Sequence, residues 1–174
     1  MGDSEDGVLP RTVVLTSGQE VRLRAVEPRD RDALSVGYQH LSAQAAYQRF
    51  HSLKAELGRD TLAYLTDVDH RDHEAVGAEE PQDASRGVGV ARYIRSGADP
   101  THAEVAVVVL DAWQGLGLGR GLLEAVRDRA REESITCLTA EVLSDNDGML
   151  GLLRAMGPVD LVREGTETTA HLPI

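Results

Sequence analysis

The sequence contains little cysteine, little lysine and few aromatic residues. Cys137 is the only cysteine, Lys54 is the only lysine, and aromatic residues make up 3% of the chain. A single cysteine excludes an intrachain disulfide. Because aromatic side chains are scarce, aliphatic side chains must fill most of the core. No apolar run approaches the length of a membrane-spanning helix.

The charge pattern limits the partners and the location of the protein. The N-terminus is acidic and lacks the basic and then apolar layout of a signal peptide, so we expect a cytoplasmic protein with no membrane contact. A net charge of −11 repels phosphate backbones, which argues against a nucleic-acid partner and favours cationic partners. The sequence leaves the oligomeric state open, and a homodimer is one option.

Hydrophobic patterning predicts one α/β domain, which some schemes would class as α+β. A length of 174 residues suits a single core, and we expect a disordered tail over residues 1–11 and the domain over residues 12–174. The segment 79–86 is predicted to be a surface loop. The element order implies a mixed, mostly antiparallel sheet flanked by helices. The predicted strands are residues 21–26, 74–78, 87–94, 103–110, 135–143, 159–162 and 168–172. The predicted helices are residues 28–40, 42–50, 60–65, a helix that follows Gly119, and residues 146–156.

A glycine-rich turn between a strand and a helix is the strongest functional signal. It consists of Gln114, Gly115, Leu116, Gly117, Leu118, Gly119 and Arg120. Alternating glycines let the backbone approach a ligand closely, and a helix N-terminus adds unpaired N–H groups and a positive dipole end. Together these features suit a pyrophosphate. The turn has no lysine, which excludes a Walker loop, and its glycine spacing does not fit the dinucleotide fingerprint.

These residues resemble the GNAT acetyltransferase superfamily. Gln114, Gly117 and Gly119 match its Gln/Arg-x-x-Gly-x-Gly/Ala signature, and Asn146 and Gly157 match its Asn-x(10)-Gly spacing. The segments 41–50, 67–70 and 103–109 look like the acetyltransferase domain of bacterial Pat-type protein lysine acetyltransferases. The resemblance implies a GNAT-like domain and an acetyl-CoA-dependent N-acetyltransferase that acts on an amine, with a protein lysine as the favoured acceptor.

The resemblance also implies roles for individual residues. The backbone of Val107, Val108 and Val109 would pair with the pantetheine arm, and the amides from Gly115 to Arg120 would hold the pyrophosphate. Asn146 would contact the cofactor arm, and Glu104 would be the general base. No metal is implied.

Simpler interpretations exist for several of these residues. Glu104 could be a solvated carboxylate at the start of a strand, and Asn146 could be a helix N-cap. His70 and His73 could bind a metal ion, but a loop pair of this kind is usually solvated.

One departure from the family pattern concerns the leaving group. Leu153 stands where many GNAT enzymes carry the tyrosine that protonates the leaving thiolate, so another tyrosine, water or no acid must serve. Three functions remain open: a protein lysine acetyltransferase, a small-amine acetyltransferase, and a non-catalytic acyl-CoA sensor.

Overall fold

The computed structural model describes residues 9–50 and 56–174. In these residues two strands precede three helices, and the rest of the chain alternates strands with two further helices. The strands are β1 (Arg11–Val14), β2 (Glu20–Ala25), β3 (His73–Glu80), β4 (Asp83–Arg95), β5 (His102–Val109), β6 (Cys137–Leu143), β7 (Asp160–Glu164) and β8 (Glu167–Pro173). The helices are α1 (Arg31–Gln39), α2 (Ala43–Phe50), α3 (Arg59–Thr66), α4 (Leu118–Glu132) and α5 (Asp147–Met156).

The strands of the described residues form one eight-stranded sheet in the order β1-β2-β3-β4-β5-β6-β8-β7. Neighbouring strands are antiparallel except for β5 and β6, which are parallel. Antiparallel neighbours can be joined by short turns, whereas a parallel pair needs a crossover, and here α4 provides it. The sheet is therefore mixed and mostly antiparallel, as the sequence predicts.

Helices cover both faces of the sheet. The apolar stripe of α4, with Leu122, Leu123 and Val126 fully buried, packs in the main core with Ala103 and Val105 of β5. Complete burial of a leucine side chain contributes about 1.5–3 kcal/mol. On the opposite face, α1 lies over β4 and over Ala106 and Val108 of β5. Side chains of β5 that are one residue apart therefore enter different environments.

One prediction about the strands is wrong, and one strand was missed. The segment 79–86 is the tip of a β3–β4 hairpin, because Glu79 pairs with Gly87 and Glu80 pairs with Asp83 across irregularities in the register. Its charged residues reflect exposure at the tip of the hairpin, where no core demands an apolar alternation. The strand β1 was not predicted, since four residues are too few for a periodic signal.

The other predicted elements are found, with bounds that shift by a few residues. The Ser42 hydroxyl accepts a hydrogen bond from the Ala45 N–H at 3.1 Å, so it caps α2. Arg11 already belongs to β1, and the disordered tail stays a prediction for residues 1–8, which lie outside the described chain. In the described part, no helix combines the length and apolar character needed to cross a membrane.

Candidate active site

A cleft opens where β5 and β6 separate. The two strands pair over His102–Glu104 and Cys137–Thr139, whereas β5 stays paired with β4 as far as Val109. Beyond Glu104, the other edge of β5 faces a cleft of about 670 Å³. The structure brings most of the predicted site residues together on its walls. These are Glu104, Val107, Val108, Val109, Gln114, Gly115, Gly117, Gly119, Arg120 and Asn146.

The free edge of β5 presents only some of its backbone groups to the cleft. The Leu110 N–H donates to the Val88 carbonyl at 2.9 Å, so the even-numbered residues of β5 turn their N–H and C=O groups toward β4. Beyond the last pair with β6, Val107 and Val109 turn theirs toward the cleft. Of the three valines predicted to pair with a pantetheine arm, Val107 and Val109 are thus suitably placed, while the polar groups of Val108 belong to the β4 ladder.

The glycine turn lies at the wide end of the cleft. Gly115 and Gly117 have φ values of +72° and +91°, a left-handed conformation that side chains other than glycine strain to adopt. The first hydrogen bond of α4 runs from the Gly121 N–H to the Gly117 carbonyl at 3.1 Å. The amides that precede Gly121 therefore have no partner inside the helix, which makes this end of the cleft suited to an anion.

Other side chains of the turn have structural roles. Leu118 is fully buried and Leu116 packs against the core, so both could contact a ligand only through the backbone. The Gln114 side chain donates to the Val109 carbonyl at 3.0 Å and so joins the turn to the end of β5. Arg120 is exposed at the cleft and forms an ion pair with Glu124, with 2.9 Å between Nε and Oε1.

Glu104 lies at the narrow end of the cleft. The register between β4 and β5 is unbroken from Ala103 to Val109, so no bulge disturbs the alternation, and Glu104 shares a face with Ala106 and Val108. Its side chain is exposed. Within residues 9–50 and 56–174, no hydrogen bond or ion pair engages its carboxylate. The carboxylate is therefore available to a ligand in the cleft.

Asn146 caps α5 and also lies on the cleft wall. Its side-chain oxygen accepts a hydrogen bond from the Met149 N–H at 3.1 Å. The simpler interpretation of this residue as an N-cap is therefore correct. Because the cap uses the oxygen, the amide nitrogen of the same side chain remains free for a ligand.

Two features of the site were missed by sequence reasoning. Glu141 of β6 lines the cleft and is exposed. It lies two residues beyond Thr139, the partner of Glu104, so both carboxylates lie on one face of the sheet. A cavity of about 100 Å³ under α1 shares Ala106 and Val108 with the cleft. The alternation in β6 marked the face of Glu141, but its proximity to Glu104 depends on the pairing of β5 with β6.

The two histidines considered as metal ligands have other partners. His70 hydrogen-bonds to Glu74 at 2.8 Å through Nδ1, and Nε2 of His73 accepts a hydrogen bond from Arg92 at 3.0 Å. Burial and the neighbouring Arg92 lower the pKa of His73 to about 4. In the described part of the chain, no group of three or more His, Cys, Asp and Glu side chains could hold a metal ion.

The sequence and the fold assign the chain to a known family. It matches the Acetyltransferase (GNAT) family over residues 36–157. It is also 33% identical to the Acetyltransferase Pat of Mycolicibacterium smegmatis over 156 residues, which is 87% of this chain and 45% of that protein. The chain thus spans less than half the length of this relative.

Solved structures agree with this assignment. The GNAT domain of S. lividans PAT is 28% identical with a TM-score of 0.88, covering 95% of this chain and 97% of that one. The structure of yncA from Salmonella typhimurium with its cofactor acetyl-CoA has a TM-score of 0.69 at 18% identity, covering 88% and 92%. The chain belongs to the Acetyltransferase (GNAT) family.

Proposed function

We propose that the protein transfers an acetyl group directly from acetyl-CoA to a lysine side chain of a protein, with Glu104 as general base. The observation that carries the proposal is the exposed Glu104 carboxylate at the narrow end of the cleft, which has no partner among the described residues. The likeness to proteins named Pat supports a protein acceptor.

The cleft provides a binding position for each part of the donor. The amides of the glycine turn and the first turn of α4 would hold the pyrophosphate. Val107 and Val109 would pair with the pantetheine amides as an added strand would, and the amide nitrogen of Asn146 would donate to the same arm. This order of contacts directs the thioester toward Glu104, at the end where β5 and β6 meet.

Glu104 would make the acceptor nucleophilic. A lysine amine has an ordinary pKa near 10.4, so roughly one in 2,500 is neutral at pH 7. Glu104 would accept a proton from the ammonium group, directly or through a water molecule. The neutral nitrogen then attacks the thioester carbon, so that an N–C bond forms and the C–S bond breaks. The nitrogen releases its second proton to water, and water supplies a proton to the leaving thiolate. Water would serve as the acid because the Leu153 side chain has no proton to donate and no tyrosine lines the described cleft.

The acidic cleft also fits a cationic acceptor. Glu104 and Glu141 project on the same face of neighbouring strands, and the chain has a net charge of −11. Both features would attract a lysine and speed its encounter with the cleft at low salt.

A small amine is the second candidate for the acceptor. The observation that favours it is the cavity of about 100 Å³ beside Ala106 and Val108, which adjoins the cleft. A compact amine with a short apolar body could be held there, whereas a protein loop would remain outside.

Labelling distinguishes these acceptors. The purified protein would be incubated with radiolabelled acetyl-CoA and a cell lysate, and the label would be measured in the protein and small-molecule fractions. Label on protein lysines supports the proposal, and label on metabolites alone supports the small amine. The Glu104→Gln variant is the control and should incorporate little label. Absence of any transfer, despite binding of acetyl-CoA, would favour a non-catalytic sensor.

A further inference from the structure

The hairpin of β1 and β2 contacts the glycine turn. In the connection between the two strands, the Gly18 N–H donates to the Leu15 carbonyl at 2.8 Å, which places Thr16 at the second position of a tight turn. The Thr16 N–H donates to the Leu116 carbonyl at 3.0 Å. The start of the chain is thereby joined to the glycine turn by a backbone hydrogen bond.

This hydrogen bond determines the orientation of one amide in the turn. The peptide unit between Leu116 and Gly117 is planar and trans, so its N–H points away from its carbonyl. With the carbonyl directed at Thr16, the Gly117 N–H points in the opposite direction. Gly117 lines the cleft. Because glycine populates positive and negative φ almost equally, this peptide unit could rotate if the bond to Thr16 were absent.

The rest of the hairpin is held firmly against α4. Arg11 donates to the Gly121 carbonyl and to the Asp128 carboxylate, each at 3.0 Å. A Cβ added to Gly121 would lie 2.8 Å from a methyl group of Val13. The first turn of α4 is therefore in direct contact with β1, and a side chain at Gly121 would push them apart.

We propose that the β1–β2 hairpin positions the pyrophosphate-binding turn, and that the backbone N–H of Thr16 is its point of action. The N–H holds the peptide unit between Leu116 and Gly117 so that the Gly117 amide can donate to the phosphate. This inference rests on the proposed function of the glycine turn. Thr16 is accordingly a positioning residue, since it acts through Leu116 and Gly117.

A pair of substitutions at Thr16 isolates the N–H group. Proline is favoured at the second position of such a turn, so Thr16→Pro keeps the hairpin while removing the donor. Thr16→Ala keeps the N–H and is the matched control, because the threonine side chain is exposed. Affinity would be measured for CoA by calorimetry, and by NMR titration for pantetheine, which lacks the pyrophosphate.

If the hairpin positions the glycine turn, the loss of affinity should be specific to CoA, which carries the pyrophosphate. Thr16→Pro should weaken CoA binding by about fivefold, the effect of losing one orienting hydrogen bond. Thr16→Ala should stay within about twofold of the wild type, and all three proteins should bind pantetheine equally. Equal CoA affinity in the proline and alanine variants would overturn the inference. Failure of the wild-type protein to bind CoA would instead refute the proposed function.

A second variant covers the case in which circular dichroism shows that Thr16→Pro is unfolded. Arg11→Gln removes the ion pair that ties β1 to α4 and leaves the turn intact. It should also weaken CoA binding and leave pantetheine binding unchanged. No loss, or equal losses for both ligands, would contradict a role in positioning the glycine turn.

Discussion

Two carboxylates of the sheet, Glu74 and Glu104, differ in their exposure and in their hydrogen-bond partners. Glu74, at the start of β3, is 1% exposed. Its oxygens accept hydrogen bonds from His70 and the Ala75 N–H at 2.8 and 2.9 Å, and from Arg129 at 3.1 Å. Glu104, on β5, is exposed and has no partner in the described chain.

The difference separates a structural region from a binding region. Buried ionised groups must be compensated inside the fold, and the Glu74 region meets that requirement with its own hydrogen bonds. The Tyr93 hydroxyl of this region also has a partner, since it donates to the Arg71 carbonyl at 2.9 Å. In the cleft, by contrast, the Glu104 carboxylate has no partner among the described residues. The backbone groups of Val107 and the first amides of α4 face the cleft and are available to a ligand. A variant of Glu104 should therefore lose activity and keep its stability, whereas a variant of Glu74 should lose stability and keep its ability to bind the ligand.

The largest expected effect is on turnover in Glu104→Gln. This change keeps the shape of the side chain and removes its basicity, so turnover should fall by roughly 10²–10⁴-fold. Affinity for acetyl-CoA and the free energy of unfolding should change little, and part of the rate should return at high pH, where the amine deprotonates unaided. Steady-state kinetics across pH would check this. Normal turnover at neutral pH would show that Glu104 is only a strand-end carboxylate.

The reverse result is expected for Glu74→Gln. In the wild type the carboxylate accepts hydrogen bonds from His70, the Ala75 N–H and Arg129. The glutamine NH2 group would face one or more of these donors and could not accept from them, so the free energy of unfolding should fall by about 2–3 kcal/mol. Binding of acetyl-CoA to the folded variant should be unchanged. Urea unfolding and calorimetry on both glutamine variants provide the crossed comparison. A Glu74→Gln variant as stable as the wild type would break the distinction between the two regions.

A smaller effect, on CoA affinity, is expected in the glycine turn. Gly117 lines the cleft, and Gly117→Val adds a β-carbon in open space and strains the backbone at a φ of +91°, so affinity should fall by about tenfold or more. Gly165→Val in the β7–β8 turn is the matched control. Gly165 also has a positive φ, +62°, and open space beyond it, so this variant should lose stability while keeping affinity for CoA. Gly119 is less suitable, since its β-carbon would meet Leu152 at 3.4 Å.

The smallest effect concerns the dependence of stability on pH in the buried region. The pKa of His73 is lowered from 6.5 to about 4, first by burial and then by Arg92, against the opposing charges of Asp69 and Glu74. A depressed histidine pKa contributes stability above pH 6.5 that is lost as the pH falls toward 4. His73→Gln keeps an acceptor for Arg92 and should reduce this loss by about 1 kcal/mol. Urea unfolding of the wild type and the variant at pH 6.5 and pH 4.5 would measure this difference. If both proteins lose the same stability between the two pH values, the prediction is wrong.

Much of the site could be predicted because it depends on local backbone chemistry. Gly115 and Gly117 have the positive φ values that an alternating glycine turn implies, and the predicted helix is found, although α4 begins at Leu118, inside the predicted turn. The face of Glu104 followed from the two-residue period of β5, since its register is unbroken. The assignment of the binding and catalytic roles to these residues stays a prediction.

Other features depend on contacts between distant parts of the chain. That Val108 turns its polar groups toward β4 while Val107 faces the cleft follows from one interstrand hydrogen bond, at Leu110. Glu141 is near Glu104 because β5 and β6 pair in one particular register. No periodicity within a single strand contains that information.

The sequence by itself determined the class of fold, the glycine turn and the residues available for chemistry. Hydrophobic period, glycine placement and helix caps act over a few neighbouring residues. The tertiary structure alone decided that β5 and β6 separate after Glu104, that β1 lies on the first turn of α4, and that Thr16 bonds to Leu116. These arrangements arise from packing and hydrogen bonding between segments far apart in the chain, where many pairings satisfy the same local pattern and only the complete core selects one.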